Sequence, residues 1–109
     1  MENPRLVKLK ELYDHSPEDA FLTYAIATEY VAMQQDEDAF GYYRLLVETH
    51  PDYVATYYHL GKLCERKQDF AKALEVYKTG IEKARAAKDQ HSLAELQNAF
   101  TNLEMELES

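Results

Sequence analysis

The stretch YYHLGKLCERKQDFAKALEVYKTGI, Tyr57 to Ile81, decides how this chain is read. With Tyr53 just ahead of it, Tyr53, Tyr57, Leu60, Leu63 and Cys64 recur three and four residues apart, which is one face of a helix. Phe70, Ala73, Leu74, Tyr77 and Ile81 repeat the pattern after Asp69, a residue type that caps helix N-termini. Gly61 lies inside the first run, where glycine costs about 1 kcal/mol against alanine. Such a residue needs a packing reason.

Outward from this pair, the helix starts are evenly placed. Proline is tolerated at the first helical position because its missing N–H had no partner there. Asn3 precedes Pro4, Ser16 precedes Pro17 with Asp19 in the following turn, and Pro51 is followed by Asp52 as a candidate cap. Asp36, Asp69 and Asp89 mark further starts. No period-two alternation or Asn-Gly turn occurs, so the reading is all-α, with six helices at about 4–14, 18–34, 37–49, 52–67, 70–86 and 90–107.

The helices repeat. Residues 20–53 laid over 54–87, a shift of 34, match Tyr24 with Tyr58, Gln34 with Gln68, Ala39 with Ala73, Tyr43 with Tyr77 and Glu48 with Glu82. Ile26 meets Leu60, Ala27 meets Gly61, and Pro17 and Pro51 share the same spacing. A helix pair with this period implies a helical solenoid.

On these residues the chain resembles the tetratricopeptide repeat family. Tyr57, Leu60, Gly61, Phe70, Ala73, Tyr77 and Gly80 fill the family's aromatic, Leu-Gly, aromatic, small, aromatic and small slots, with Cys64 in a slot usually held by tyrosine and Arg85 in the proline slot. The earlier copy keeps Ile26, Ala27, Tyr30, Ala39, Tyr43 and Pro51, and departs from the pattern at Thr23, Asp36 and Leu46. The resemblance implies a right-handed helical-hairpin solenoid of about six antiparallel helices in a single domain over 1–109. Its parts are a partial repeat at 1–17, repeats at 20–53 and 54–87, and a capping helix at 88–109. Gly61 and Ala27 then stand where helices cross closely, so Gly61→Leu should disrupt the fold while Gly61→Ala should be tolerated.

The bulk numbers narrow the function. A chain of 109 residues that is 46% hydrophobic and 29% charged is an ordinary globular composition. The formal charge of −8 disfavours nucleic acid and anionic membrane surfaces; it serves solubility or favours basic partners. No apolar run approaches the roughly 18 residues of a membrane span, and the first sixteen residues, MENPRLVKLKELYDHS, lack a signal peptide's apolar core. One cysteine makes a reducing cytoplasm the expected compartment.

No constellation points to catalysis, a cofactor or a metal. His15, His50, His59 and His91 lie in different segments without metal-ligand spacing and read as surface or helix-end residues. Cys64 reads as a small buried hydrophobe. Asp36, Asp38 and Gly41 have calcium-loop spacing, but Phe40 fills a ligand position and Val47 stands where the bidentate Glu belongs, so they read as an acidic helix start.

The resemblance implies a non-enzymatic interaction module whose first helices line a concave groove for a peptide or helix of another protein. The groove positions are Phe21, Tyr24, Thr28, Val31 and Ala32 in one pair, and Ala55, Tyr58, His59, Lys62, Glu65 and Arg66 in the next. Family members that grip a C-terminal carboxylate use Lys and Asn one turn apart; here Tyr24 and Thr28 stand there. Lys62, Glu65 and Arg66 could equally pair among themselves on a solvated face. A second reading is self-assembly. Leu93, Leu96, Phe100, Leu103 and Leu107 form a heptad-like seam that either caps the array, leaving a monomer, or pairs two copies through 91–107.

Overall fold

The computed structural model describes residues 3–109, and among them there are six helices and no strand. These are α1 (Pro4–His15), α2 (Ala20–Ala32), α3 (Asp36–Thr49), α4 (Ala55–Arg66), α5 (Phe70–Ala87) and α6 (Gln90–Glu108). They fall into two compact units, Met1–Tyr53 and Val54–Ser109, with three helices in each.

Three starts follow the expected chemistry. Asn3 accepts from the Leu6 amide at 3.1 Å ahead of Pro4, Asp69 accepts from Lys72 at 3.2 Å, and Asp89 from Ser92 at 3.0 Å. Asp36 opens α3 within its acidic first turn, and no side chain caps that helix.

Two starts differ from expectation. Ser16 does not cap α2, and Asp52 does not cap α4. Ser16 instead ends α1, donating its amide to the Leu12 and Tyr13 carbonyls, and Asp19 caps α2. The Asp19 amide donates to Ser16 O at 3.0 Å, and the Tyr53 amide to His50 O at 3.0 Å. Pro17 and Pro51 are thus second residues of tight turns, the other position that a φ near −65° suits. In consequence Tyr53 lies outside α4, and Val54 takes the N-cap position with no side-chain bond.

The turns after α2, α4 and α5 share another device. Gln34, Gln68 and Lys88 all have left-handed backbone, at φ 61°, 64° and 58°. The amides of Gln35, Asp69 and Asp89 each reach back five residues, to the carbonyls of Tyr30, Cys64 and Ala84, at 2.9 Å in every case. This closes the helix ends in the Schellman manner. The Gln34–Gln68 identity therefore marks equivalent backbone positions.

In the first unit, Glu29 on α2 fastens α1, accepting from Asn3 Nδ2 at 2.8 Å and pairing with Arg5 Nε at 3.0 Å. Tyr30 stacks on Tyr42 with ring centroids 5.7 Å apart. Tyr13 meets Tyr42 edge-on at 6.2 Å, and the Lys10 ammonium lies 5.3 Å from the Tyr30 ring. Ala27, Ala39 and Tyr43 are fully buried.

The second unit shows why Gly61 is glycine. The Tyr77 ring lies directly over it: a Cβ built there would be 2.6 Å from Tyr77 Cδ1 and 2.7 Å from Cζ, with Cε1 closer still. Tyr77 is fully buried. The close crossing expected at Gly61 is present, but it is too close for alanine as well as leucine. The expected tolerance of Gly61→Ala is therefore corrected. Tyr57, Leu60, Cys64 and Ala73 are buried around this crossing, and Phe70 is half-buried.

The C-terminal seam is largely consumed within this unit. Leu96 and Leu103 are each 1% exposed, and Ala99 is buried, where α6 packs on α5 and α4. Leu93 and Phe100 are half-buried, leaving Leu107 open.

Thr56 on α4 is 0% exposed, and its hydroxyl has no hydrogen-bond partner. Thr56→Val keeps the β-branched shape and removes an unpaired polar atom, so it should stabilise the chain by about 1 kcal/mol. Thermal melting should show a midpoint roughly 5 °C higher. An unchanged or lower midpoint would mean that the hydroxyl is bonded after all.

Candidate protein-interaction surface

The residues expected to face a partner come from α2 in the first unit and α4 in the second. On α2, Phe21 is 57% exposed while Tyr24 and Thr28 are half-buried; Val31 is half-buried and Ala32 exposed. Thr28 Oγ1 donates to the Tyr24 carbonyl at 2.9 Å. With its proton committed there, it accepts from the Tyr43 hydroxyl at 3.2 Å. Burial pushes that hydroxyl up to about 12. Tyr24 is flanked by two rings, Tyr53 at 5.6 Å and Tyr43 at 6.5 Å between centroids. Its orientation is therefore fixed by neighbours while part of it stays open to solvent.

Tyr53 was not among the expected surface residues, because the helical periodicity carried it into α4. The signal that could have placed it was the His50-Pro51 turn, which holds it beside α2. Burial raises the Tyr53 hydroxyl above its ordinary range, and the Tyr24 hydroxyl and the Asp19 carboxylate push the same way.

On α4 the expected residues meet one another. The Lys62 ammonium lies 5.6 Å from the Tyr58 ring centroid and 3.8 Å from Glu65 Oε2. Tyr58 meets the His59 ring edge-on at 5.6 Å. Glu65 also accepts a hydrogen bond from the Tyr77 hydroxyl. Burial foremost, then the Glu65 hydrogen bond, raises the Tyr77 hydroxyl far above its usual range. The close passage over Gly61 thus brings the Tyr77 hydroxyl to Glu65, which in turn holds Lys62 against Tyr58. The pairing of Lys62 with Glu65 exists, yet Lys62 stays nearly half exposed and keeps its place over the ring.

His59 is half-buried on α4. Burial lowers its basicity, and the Glu95 carboxylate partly opposes this. Arg66 is exposed in the last turn of α4 and Ala55 is half-buried in its first. Burial pushes the Cys64 thiol up, away from thiolate. Among the described residues no group of three or more His, Cys, Asp or Glu is arranged to hold a metal ion, and no helix is long and apolar enough to cross a membrane. A cleft of about 510 Å³ opens between α5 and α6, lined by Leu74 and Phe100 with Glu75, Lys78, Glu82 and Glu104. It contains none of the residues expected to meet a partner.

No protein-family model and no curated protein matches the chain. Solved structures do. The crystal structure of a tetratricopeptide repeat domain protein from Salinibacter ruber is 45% identical, with a TM-score of 0.77, over 79% of this chain and 96% of that one. A solution NMR structure of a tetratricopeptide repeat domain protein from the same organism is 46% identical, with a TM-score of 0.78, over 82% and 90%. The TPR2B domain of yeast Sti1, solved as a complex with pHsp70, shares the fold at 18% identity, with a TM-score of 0.85 over 93% and 81%. These helices and relatives define an all-α helical repeat protein. The chain belongs to the tetratricopeptide repeat family.

Proposed function

We propose that this chain is a non-enzymatic protein-interaction module, with full repeats at 20–53 and 54–87, that binds a peptide or helix of another protein. The partner contacts Phe21, Tyr24 and Thr28 on α2, and Tyr58, Lys62 and Arg66 on α4. The observation that carries this reading is the bracing of Tyr58 and Lys62. Their ring and ammonium are held together by Glu65, which is itself fixed by a buried tyrosine. A side chain fixed before binding loses less entropy on contact, and tyrosine supplies large contact area with a polar end. The Sti1 domain, solved with pHsp70, supports a protein as the partner class.

The test is a purified partner, first identified by affinity capture and then titrated against the chain. Tyr58→Ala with Lys62→Glu should weaken binding by about thirtyfold or more, the range of a central anchor. Both side chains are partly exposed, so the melting temperature should move little. A partner that binds the double variant as tightly as the parent removes α4 from the interface.

A further inference from the structure

The charge of this chain is unevenly distributed. From Glu11 to Gly61 the sequence holds ten acidic residues, and Arg44 on α3 is the one Lys or Arg. In the middle of this stretch lies an aromatic surface of the first unit. Phe21 is the exposed end, Tyr24 follows three residues later on α2, and Tyr53 leans on Tyr24 with ring centroids 5.6 Å apart and planes 52° from parallel. Beside Tyr53 a shallow cleft of about 390 Å³ is lined by Thr49, His50, Pro51 and Asp52.

Two kinds of ligand would be drawn to such a surface by different physics. The N-terminus of α2 could attract an anion through its free amides. Asp19 answers that demand itself, accepting from Phe21 N at 2.9 Å and Leu22 N at 3.4 Å. Its carboxylate places negative charge where an anion would have to approach. A cation meets the opposite situation, because aromatic faces are negative at their centre and the Asp19 carboxylate, which acts on the Tyr53 hydroxyl, adds to that potential. Between the side-chain cations of lysine and arginine, guanidinium is the better match. It is planar, stacks on aromatic rings and sheds water more readily than ammonium.

We propose that the Phe21–Tyr24–Tyr53 face, with Asp19 beside it and Asp52 in the adjoining cleft, docks an arginine-bearing peptide segment. This rests on the interaction reading above and assigns a ligand chemistry to the α2 part of it. The overall charge of −8 favours encounter with such a segment from a distance. The same face disfavours a C-terminal carboxylate.

The experiment is an NMR titration of the isotope-labelled full chain with the blocked peptide acetyl-Gly-Arg-Gly-Arg-Gly-amide. Its counterpart carries citrulline, which keeps arginine's shape without the charge. The arginine peptide should shift the amides of residues 19–24 and 49–53, and the citrulline peptide should bind several-fold more weakly. Phe21→Ala should weaken the arginine peptide about threefold, the range of an exposed cation–π contact. Asp52→Asn should act in the same direction, and the effect of both charges should fade at high salt. Phe21 is largely exposed, so its variant should fold normally. Equal binding of the two peptides, shifts confined to other helices, or no shifts at millimolar peptide would each overturn the proposal. The two readings fail separately. A purified protein partner that is weakened by the Tyr58 and Lys62 changes, but indifferent to Phe21→Ala and Asp52→Asn, leaves the α4 part of the interaction module standing and removes both the Phe21 contact and the arginine dock.

Discussion

Gly80→Ala should lower the melting temperature by about 10 °C, although alanine is the better helix former. The helix-propensity gain is about 1 kcal/mol. Against it stands a Cβ that would lie 2.5 Å from Tyr57 Cβ, with Leu96 Cδ2 and Tyr57 Cγ at 3.1 Å. Tyr57 Cβ is one bond from its backbone and cannot rotate away, so α4 and α5 must separate. Overpacking of this kind costs about 3 kcal/mol, which leaves a net loss of about 2 kcal/mol. Gly61→Ala should also destabilise, by somewhat less, because the atoms it meets are in the Tyr77 ring rather than at its root. That ring is buried and its hydroxyl is bound to Glu65, so its freedom to yield is small. Gly41 is the control. Nothing lies within 4 Å of the Cβ it would gain, and Gly41→Ala should raise stability by about 0.5–1 kcal/mol. Urea denaturation of the three variants decides the matter. If Gly80→Ala and Gly61→Ala behave like Gly41→Ala, the two crossings are looser than described.

This contrast also shows what the sequence could and could not reveal. The 34-residue spacing carried the helices, because the small and large residues that match across it are those that packing requires. The meaning of Gly61 was visible as a demand for closeness, but how close depends on the Tyr77 ring angle, which no one-dimensional spacing encodes. Pro17 and Pro51 misled for a related reason: a φ near −65° suits both the first residue of a helix and the second of a tight turn. The choice was made by the backbone bonds from Asp19 to Ser16 and from Tyr53 to His50. That misreading hid the partnership of Tyr53 with Tyr24, since it is the turn bond to His50, and not the helical period, that places the Tyr53 ring. On α4, by contrast, Tyr58, Lys62 and Glu65 were legible as a stripe, because i, i+3 and i+4 neighbours on a helix meet whatever the surroundings. The role of Tyr77 in fixing Glu65 needed the helix crossing to be seen.

Leu96→Ala should cost about 2–5 kcal/mol. Leu96 is almost wholly buried and lies against the narrow place at Gly80, where Tyr57 also approaches. The smaller side chain leaves a cavity at the point where α6 meets the close crossing of α4 and α5. Leu107→Ala should change stability by less than about 0.5 kcal/mol, since Leu107 is 47% exposed. The pair separates two uses of one seam. If the seam serves to cap α5, the loss from Leu96→Ala should be independent of protein concentration. Hydrogen exchange should then quicken in α6 before it does in α4. If two copies pair through 91–107, both substitutions should instead reduce the mass measured by light scattering at high concentration, and dilution should erase much of the difference in stability. The burial of Leu96, Ala99 and Leu103 favours the first outcome. A dimer would have to be built from Leu93, Phe100 and Leu107, or it would have to lift α6 away from the core that Leu96 completes.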